Sequence, residues 1–151
     1  MQRRSFREMA CPIARSLERV GEWWSMLILR DAFAGLTRFD EFQQSLGIAP
    51  NMLTRRLTAL VEAGMLERHR YSERPERFEY RLTAKGTELV EVLMVMVHWG
   101  DRWTAGEAGP PVLYRHRACG RTGHVELVCA HCGEPMHADD VDVEPGPGAV
   151  A

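Results

Sequence analysis

The groups best suited to chemistry crowd the last quarter of the chain. Cys119, Cys129 and Cys132 lie there, while Cys11 stands alone near the start. The segments His116-Arg-Ala-Cys119-Gly120 and Cys129-Ala-His-Cys132-Gly133 share one pattern: a ligand, two residues, a cysteine, a glycine. Two such turns, nine residues apart, can meet as paired knuckles around a tetrahedral zinc ion. The two-residue gap suits a tight turn, and the glycine lets the chain fold back. His116 is the fourth ligand on this reading, with His124 and His137 as alternatives. A dithiol redox pair and a metal-free tail are the competing readings. A closed shell of four ligands leaves no open position for water or substrate, so the zinc would be structural. The segment, about 25 residues with few large apolar groups, cannot offset its own ordering entropy without a staple.

An enzymatic reading of the same letters fails on spacing. His124-Val-Glu126 followed by Cys129-x-x-Cys132 carries the residue types of a zinc deaminase site. Those sites place the two motifs at the starts of separate helices, and only Leu127 and Val128 intervene here. No substrate-sized domain surrounds the motif, and the chain is read as a non-enzyme. Cys11 offers different chemistry. It sits one residue before a helix start at Pro12, with Arg15 one turn inside, and the partial positive charge there favours thiolate. Two readings stand: a redox or electrophile sensor, and a small buried hydrophobe.

The elements that must position these groups follow from periodicity and breakers. Ile13, Leu17 and Val20 recur at helical spacing in a first helix that ends at Gly21. A second helix runs from about Trp24 to Ala34, with Trp24, Leu27, Ile28 and Ala32 on one face. Thr37 is the expected N-cap of a short third helix bearing Phe39, Phe42 and Leu46, with Glu41 near the capping-box position. Gly47-Ile48-Ala49-Pro50 breaks the chain. A fourth helix then repeats apolar residues at Leu53, Leu57, Leu60 and Val61. Two short helices joined by a glycine-containing turn make a helix-turn-helix. Leu66 to Tyr71 and Phe78 to Leu82 read as strands around the polar loop Ser72–Arg77, a hairpin of the wing type. Thr83 caps a long last helix with a stripe of Leu89, Val92, Leu93, Met96 and Trp99. The expected organisation is a winged-helix and dimerisation domain over 1–106, a linker over 107–113, a zinc-binding tail over 114–138 and a disordered end over 139–151. The fold class is mainly α with a small β component (α+β).

The net charge of −2 hides an asymmetry. Up to Gly86 there are 15 Lys/Arg against 11 Asp/Glu, a balance of +4; beyond it there are 4 against 10, a balance of −6. A basic front suits a polyanionic partner. No stretch approaches the roughly 20 apolar residues that cross a bilayer, and no signal peptide is seen, so no membrane role and a cytoplasmic location are expected. In that reducing compartment clustered cysteines suggest metal or redox chemistry rather than disulfides.

At this point the residues resemble a known family. Cys11-Pro12, Gly21-Glu22-Trp23-Trp24, Leu27-Ile28-Leu29-Arg30-Asp31, Arg38-Phe39, Leu53-Thr54-x-Arg56-Leu57, Leu60, Gly64-Met65-Leu66 and Pro75-x-Arg77-x-Glu79-Tyr80-x-Leu82-Thr83-x-x-Gly86 are similar to the HxlR family of winged-helix regulators. The likeness runs over roughly residues 11 to 100, in order and with spacing kept. It implies a dimeric DNA-binding protein whose first and last helices form the dimer contact, and some members sense oxidants through an N-terminal cysteine. One departure is Ala49, where the family usually has Ser. Ala is a poor N-cap, costing about 0.5–2 kcal/mol relative to Ser.

With Leu53, Leu57 and Leu60 inward, the opposite face of the fourth helix carries Asn51, Arg55, Thr58 and Glu62, flanked by Thr54 and Met52. Asn can bond adenine and Arg guanine in bidentate fashion, and a recognition helix reads bases with its N-terminal residues. Arg56 is nearer the core edge and is assigned to a phosphate. In the wing, Arg77 is expected on the DNA backbone, although Glu73, Glu76 and Glu79 could pair with the wing arginines. The dimer contact is expected from Ile13, Leu17, Leu89, Val92, Leu93, Met96 and Trp99. The function expected is a dimeric, sequence-specific regulator of transcription, a repressor more than an activator, on a palindromic double-stranded site. The alternative is a protein-interaction adaptor built on the same scaffold, its tail holding a partner.

Overall fold

A computed structural model describes residues 11–147. It contains five α-helices and two small antiparallel sheets in the order α1 (Pro12–Val20), α2 (Trp23–Phe33), α3 (Phe39–Leu46), α4 (Pro50–Glu62), β1 (Leu66–Glu73), β2 (Glu76–Leu82), α5 (Ala84–Thr104), β3 (Tyr114–Arg115) and β4 (Thr122–Gly123). A single 3-10 turn follows at Ala138–Asp140. The chain divides into two compact units, one up to Val90 and one from Glu91 onward. That boundary falls inside α5. No helix among the described residues is long and apolar enough to cross a membrane.

In the first unit α2, α3 and α4 close on a core of Ile28, Leu29, Phe42, Leu53, Leu57 and Leu60, joined by Ile48, Met65 and Leu66. The face of α2 differs from expectation: it buries Ser25, Ile28, Leu29 and Asp31, and leaves Trp24 and Leu27 only half-buried. This helix is apolar nearly all round, so periodicity alone does not fix its inward side. The cap of α3 also differs. Its N-cap is Arg38, not Thr37, because the Thr37 carbonyl accepts the Tyr80 N–H at 2.7 Å and the loop joins β2 as a short bridge between Arg38 and Glu79. Glu41 keeps the capping role. Its Oε2 accepts both the Thr37 and Arg38 N–H groups at 2.8 Å, and these bonds hold its carboxyl below the usual value.

The turn after α4 closes tightly on the start of α5. Gly64 turns the chain with φ +70°, and Thr83 Oγ1 donates to the Gly64 carbonyl at 2.7 Å while accepting the Gly86 N–H at 3.1 Å, as a helix N-cap does. Gly86 has no alternative here: a Cβ on it would lie 2.1 Å from the Met65 carbonyl oxygen. The wing ladder is longer than the sequence suggests. β1 and β2 pair from Leu66↔Leu82 to Glu73↔Glu76, with an irregularity between Arg70 and Ser72.

Candidate nucleic-acid interface and tail knuckles

Gly47 ends α3 in the left-handed conformation with φ 60°, and buried Ile48 pins the turn that follows. Pro50 then opens α4, with Ala49 as an N-cap that has no side chain to bond the helix start, while Asn51 Oδ1 accepts the Met52 N–H at 2.8 Å. The geometry fixes which way α4 points. Leu53, Leu57 and Leu60 are buried, and Asn51, Thr54, Arg55 and Thr58 are exposed on the opposite face. Thr54 Oγ1 donates to the Pro50 carbonyl at 2.9 Å, which orients its methyl and hydroxyl against the helix. Arg55 has no acidic partner among the described residues.

Arg56 departs from the phosphate role. Its side chain is only 17% exposed and its guanidinium lies 3.1 Å from Glu22, the residue that precedes α2. Its Nε is buried without a partner. A phosphate contact would have to break a largely desolvated ion pair, so Arg56 braces α4 against the α2 start instead.

In the wing the competition between acids and arginines is resolved unequally. Arg70 lies 3.7 Å from Glu73 and 3.6 Å from Glu76, and Arg81 lies 2.7 Å from Glu79. Arg68 stacks over Phe78 at 4.0 Å. Arg74 and Arg77 at the tip are exposed, with no acidic partner among the described residues. The acids are thus spent on arginines other than Arg77.

Of the seven residues expected at a dimer contact, most are on the surface. Ile13 is 70% exposed, Leu17 44%, Val92 55%, Met96 53% and Trp99 60%, with Leu89 half-buried. Leu93 is a correction: it is 8% exposed and belongs to the buried side of α5. Trp103, beyond the expected stripe, is 68% exposed. Leu89, Val92, Met96, Trp99 and Trp103 follow one another in alternating steps of three and four residues, the period of a coiled-coil seam. This signal was present in the sequence.

Cys11 is exposed and forms the N-cap of α1, which removes the buried-hydrophobe reading. The other three cysteines are also free thiols. In the tail each knuckle has the same backbone. The His116 carbonyl accepts the Gly120 N–H, and the Cys129 carbonyl the Gly133 N–H, both at 2.8 Å. The His116 N–H donates to Arg121 and the Cys129 N–H to Glu134, again at 2.8 Å each. Gly120 and Gly133 have φ of +72° and +77°. Cys119 Sγ lies 3.4 Å from His116 Nδ1. At the second knuckle the backbone N–H groups of Cys132 and His131, with the Cys132 thiol, hold Cys129 below the usual thiol value. The four candidate ligands stand as two pairs: among the described residues no three His, Cys, Asp or Glu are close enough to hold one metal ion.

The comparisons with known proteins fit this architecture. The HxlR-like helix-turn-helix family matches residues 19–108. The HTH-type transcriptional regulator Rv3095 of Mycobacterium tuberculosis, itself uncharacterized, is 46% identical over 136 residues, covering 90% of this chain and 86% of its own. Among solved structures, PA1607, described as a candidate transcription factor, is 39% identical with a TM-score of 0.83, covering 95% of this chain and 100% of that one. The redox regulator HypR in its reduced form is 30% identical with a TM-score of 0.58, covering 61% of this chain and 92% of that one. With the helix-turn-helix, the wing and this match together, the chain belongs to the HxlR-like helix-turn-helix family.

Proposed function

We propose that this protein is a dimeric, sequence-specific DNA-binding regulator of transcription, acting in the cytoplasm and chiefly as a repressor. Two exposed sets support the reading: Asn51, Thr54, Arg55 and Thr58 on α4, and Arg74 and Arg77 at the wing tip, which the neighbouring acids spare. Arg55 and Asn51 have the donors for base edges, and Arg77 has the reach and charge for the backbone. The apolar seam of α5, with Ile13 and Leu17 of α1, is the dimer contact, since an ordered helix does not leave such a stripe in water without cost. Two-fold symmetry then calls for a palindrome with half-sites about one helical turn apart. Regulator chemistry, not catalysis, is what the family membership supports. Cys11, exposed at a helix start, is the sensor on this reading, in keeping with the likeness to a redox regulator.

Binding selection followed by fluorescence anisotropy tests it. Arg55→Ala should cost roughly 1–3 kcal/mol on the selected site and relax preference at one base pair. Arg77→Ala should weaken all sequences alike and flatten the salt dependence. Cys11→Ser should bind as the parent does but lose the release caused by diamide. Unchanged sequence preference in Arg55→Ala would reject the proposed reading face, and a preserved diamide response in Cys11→Ser would reject the sensor.

A further inference from the structure

The wing is tied to the helix-turn-helix at its base and left open at its tip. At the base Leu66 is buried, and the Tyr80 N–H reaches the Thr37 carbonyl at 2.7 Å beside the Arg38–Glu79 bridge. Arg77 lies three residues beyond Tyr80, roughly 10 Å along the strand. There an open cleft separates the two parts, with Phe39 and Asp40 of α3 on one side and Tyr71, Glu76, Arg77 and Phe78 of the wing on the other. β1 is exposed from Glu67 to Tyr71, so no other described element props the hairpin from that side. A two-stranded hairpin standing alone is marginal in water, and the place of its tip depends on what else holds it.

One further contact reaches across. Arg70 pairs with Phe78 and Ser72 with Arg77, so Tyr71 is an extra residue in β1 with no partner in the ladder. Such a bulge bends the strand and re-aims a side chain. Here the ring of Tyr71 lies 4.9 Å from the guanidinium of Arg38, within cation–π range. Arg38 is a rigid end for that contact. As the N-cap of α3, it donates its N–H to the Glu41 carboxylate at 2.8 Å, and its carbonyl accepts the Phe42 N–H at 3.1 Å. Glu79, its bridge partner, pairs its carboxylate with Arg81 at 2.7 Å and leaves the Arg38 guanidinium to the ring. The other wing stack, Arg68 over Phe78, joins two residues of the hairpin itself and cannot tie it to α3.

We infer that Arg38 and Tyr71 are positioning residues for DNA binding. The guanidinium, fixed at the start of α3, holds the bulged ring and so sets where the wing tip and Arg77 stand relative to the helix-turn-helix. Neither side chain needs to touch DNA for this. The inference rests on the reading that Arg77 meets the DNA backbone, and it adds the device that brings Arg77 there. Removing the contact leaves the core intact, since Tyr71 is 41% exposed and Arg38 is exposed too. What is lost is the preset place of the tip, and the cost of ordering the wing then falls on the binding step.

The test is fluorescence anisotropy of the full chain on its selected site over a range of salt. Tyr71→Leu and Arg38→Gln should each weaken binding by roughly two- to fivefold, the worth of one exposed cation–π contact. Tyr71→Leu removes no charge, yet it should lower the salt slope as Arg77→Ala does, by up to about one. On an Arg77→Ala background neither substitution should cost anything more. Tyr71→Phe keeps the ring and should bind as the parent does. The two disruptive variants lie on different elements, so agreement between them excludes a local folding defect. An unchanged slope in Tyr71→Leu, with Arg77→Ala lowering it, would overturn this inference and leave the DNA reading standing. A further loss from Arg38→Gln on the Arg77→Ala background would make Arg38 a phosphate contact in its own right and overturn the positioning role. If Arg77→Ala itself left the slope unchanged, the wing reading would fall first and this inference with it.

Discussion

The winged-helix unit and the tail are held by opposite means. In the first, Phe42, Ile28, Leu29, Leu53, Leu57, Leu60 and Leu66 are almost wholly removed from water, and each such side chain contributes roughly 1.5–3 kcal/mol. In the tail no residue from 107 to 147 is buried, and the order lies in turns and short ladders. The difference shows that local pattern and stability are separable. A knuckle can be written into five residues whose turns bury no side chain. The helix-turn-helix makes the opposite trade: its helices are individually short, and what fixes them is the shared interior.

The comparison breaks first at the core. Leu57→Ala should lower unfolding free energy by about 2–5 kcal/mol in urea titrations, whereas Leu127→Ala in the tail should change it by no more than about 0.5 kcal/mol. Similar losses at the two positions would mean that the tail packs against a surface of its own. A second test concerns exposed apolar groups, which both regions carry. In α5 they fall on one seam, while in the tail they lie at scattered turns. Trp99→Asp should weaken self-association by roughly 2 kcal/mol or more in sedimentation equilibrium, and Val128→Asp should leave it unchanged. A parent chain that sediments as a monomer at micromolar concentration would remove the dimer.

The smallest effect is the one most sensitive to pH. Glu41 accepts two backbone N–H bonds at the start of α3, and its carboxyl is held below its ordinary value of 4.5. A carboxyl depressed in the folded state binds its proton more readily when unfolded, so its stabilisation is complete above pH 4.5 and fades as pH falls through the folded value. Glu41→Gln should therefore cost on the order of 0.5 kcal/mol near neutrality. The gap between parent and variant should close in acid. A gap that persists there would assign the effect to shape and not to charge.

Much of this was legible in the residues. The pattern Leu53, Leu57, Leu60 put Asn51, Thr54, Arg55 and Thr58 on the outer face because a helix has one period and its buried side leaves no choice for the other. Thr83, Gly64 and Gly47 announced their caps, since few residues meet those backbone demands. The doubled ligand-x-x-Cys-Gly pattern likewise foretold two turns of one shape.

What the sequence could not decide depended on neighbours distant along the chain. Nothing local to Arg56 says that Glu22 meets it, or that Thr37 must give its carbonyl to Tyr80 and so hand the α3 cap to Arg38. The inward side of α2, apolar all round, was settled by what packed against it. Leu93 and Val92 are adjacent and equally apolar, and only the folded chain buries one at 8% exposure and leaves the other at 55%. Residue type sets what a side chain prefers. Which charges find partners, and which apolar groups are left to face a second molecule, is set by the tertiary structure, because burial and ion pairing are properties of surroundings and not of the residue.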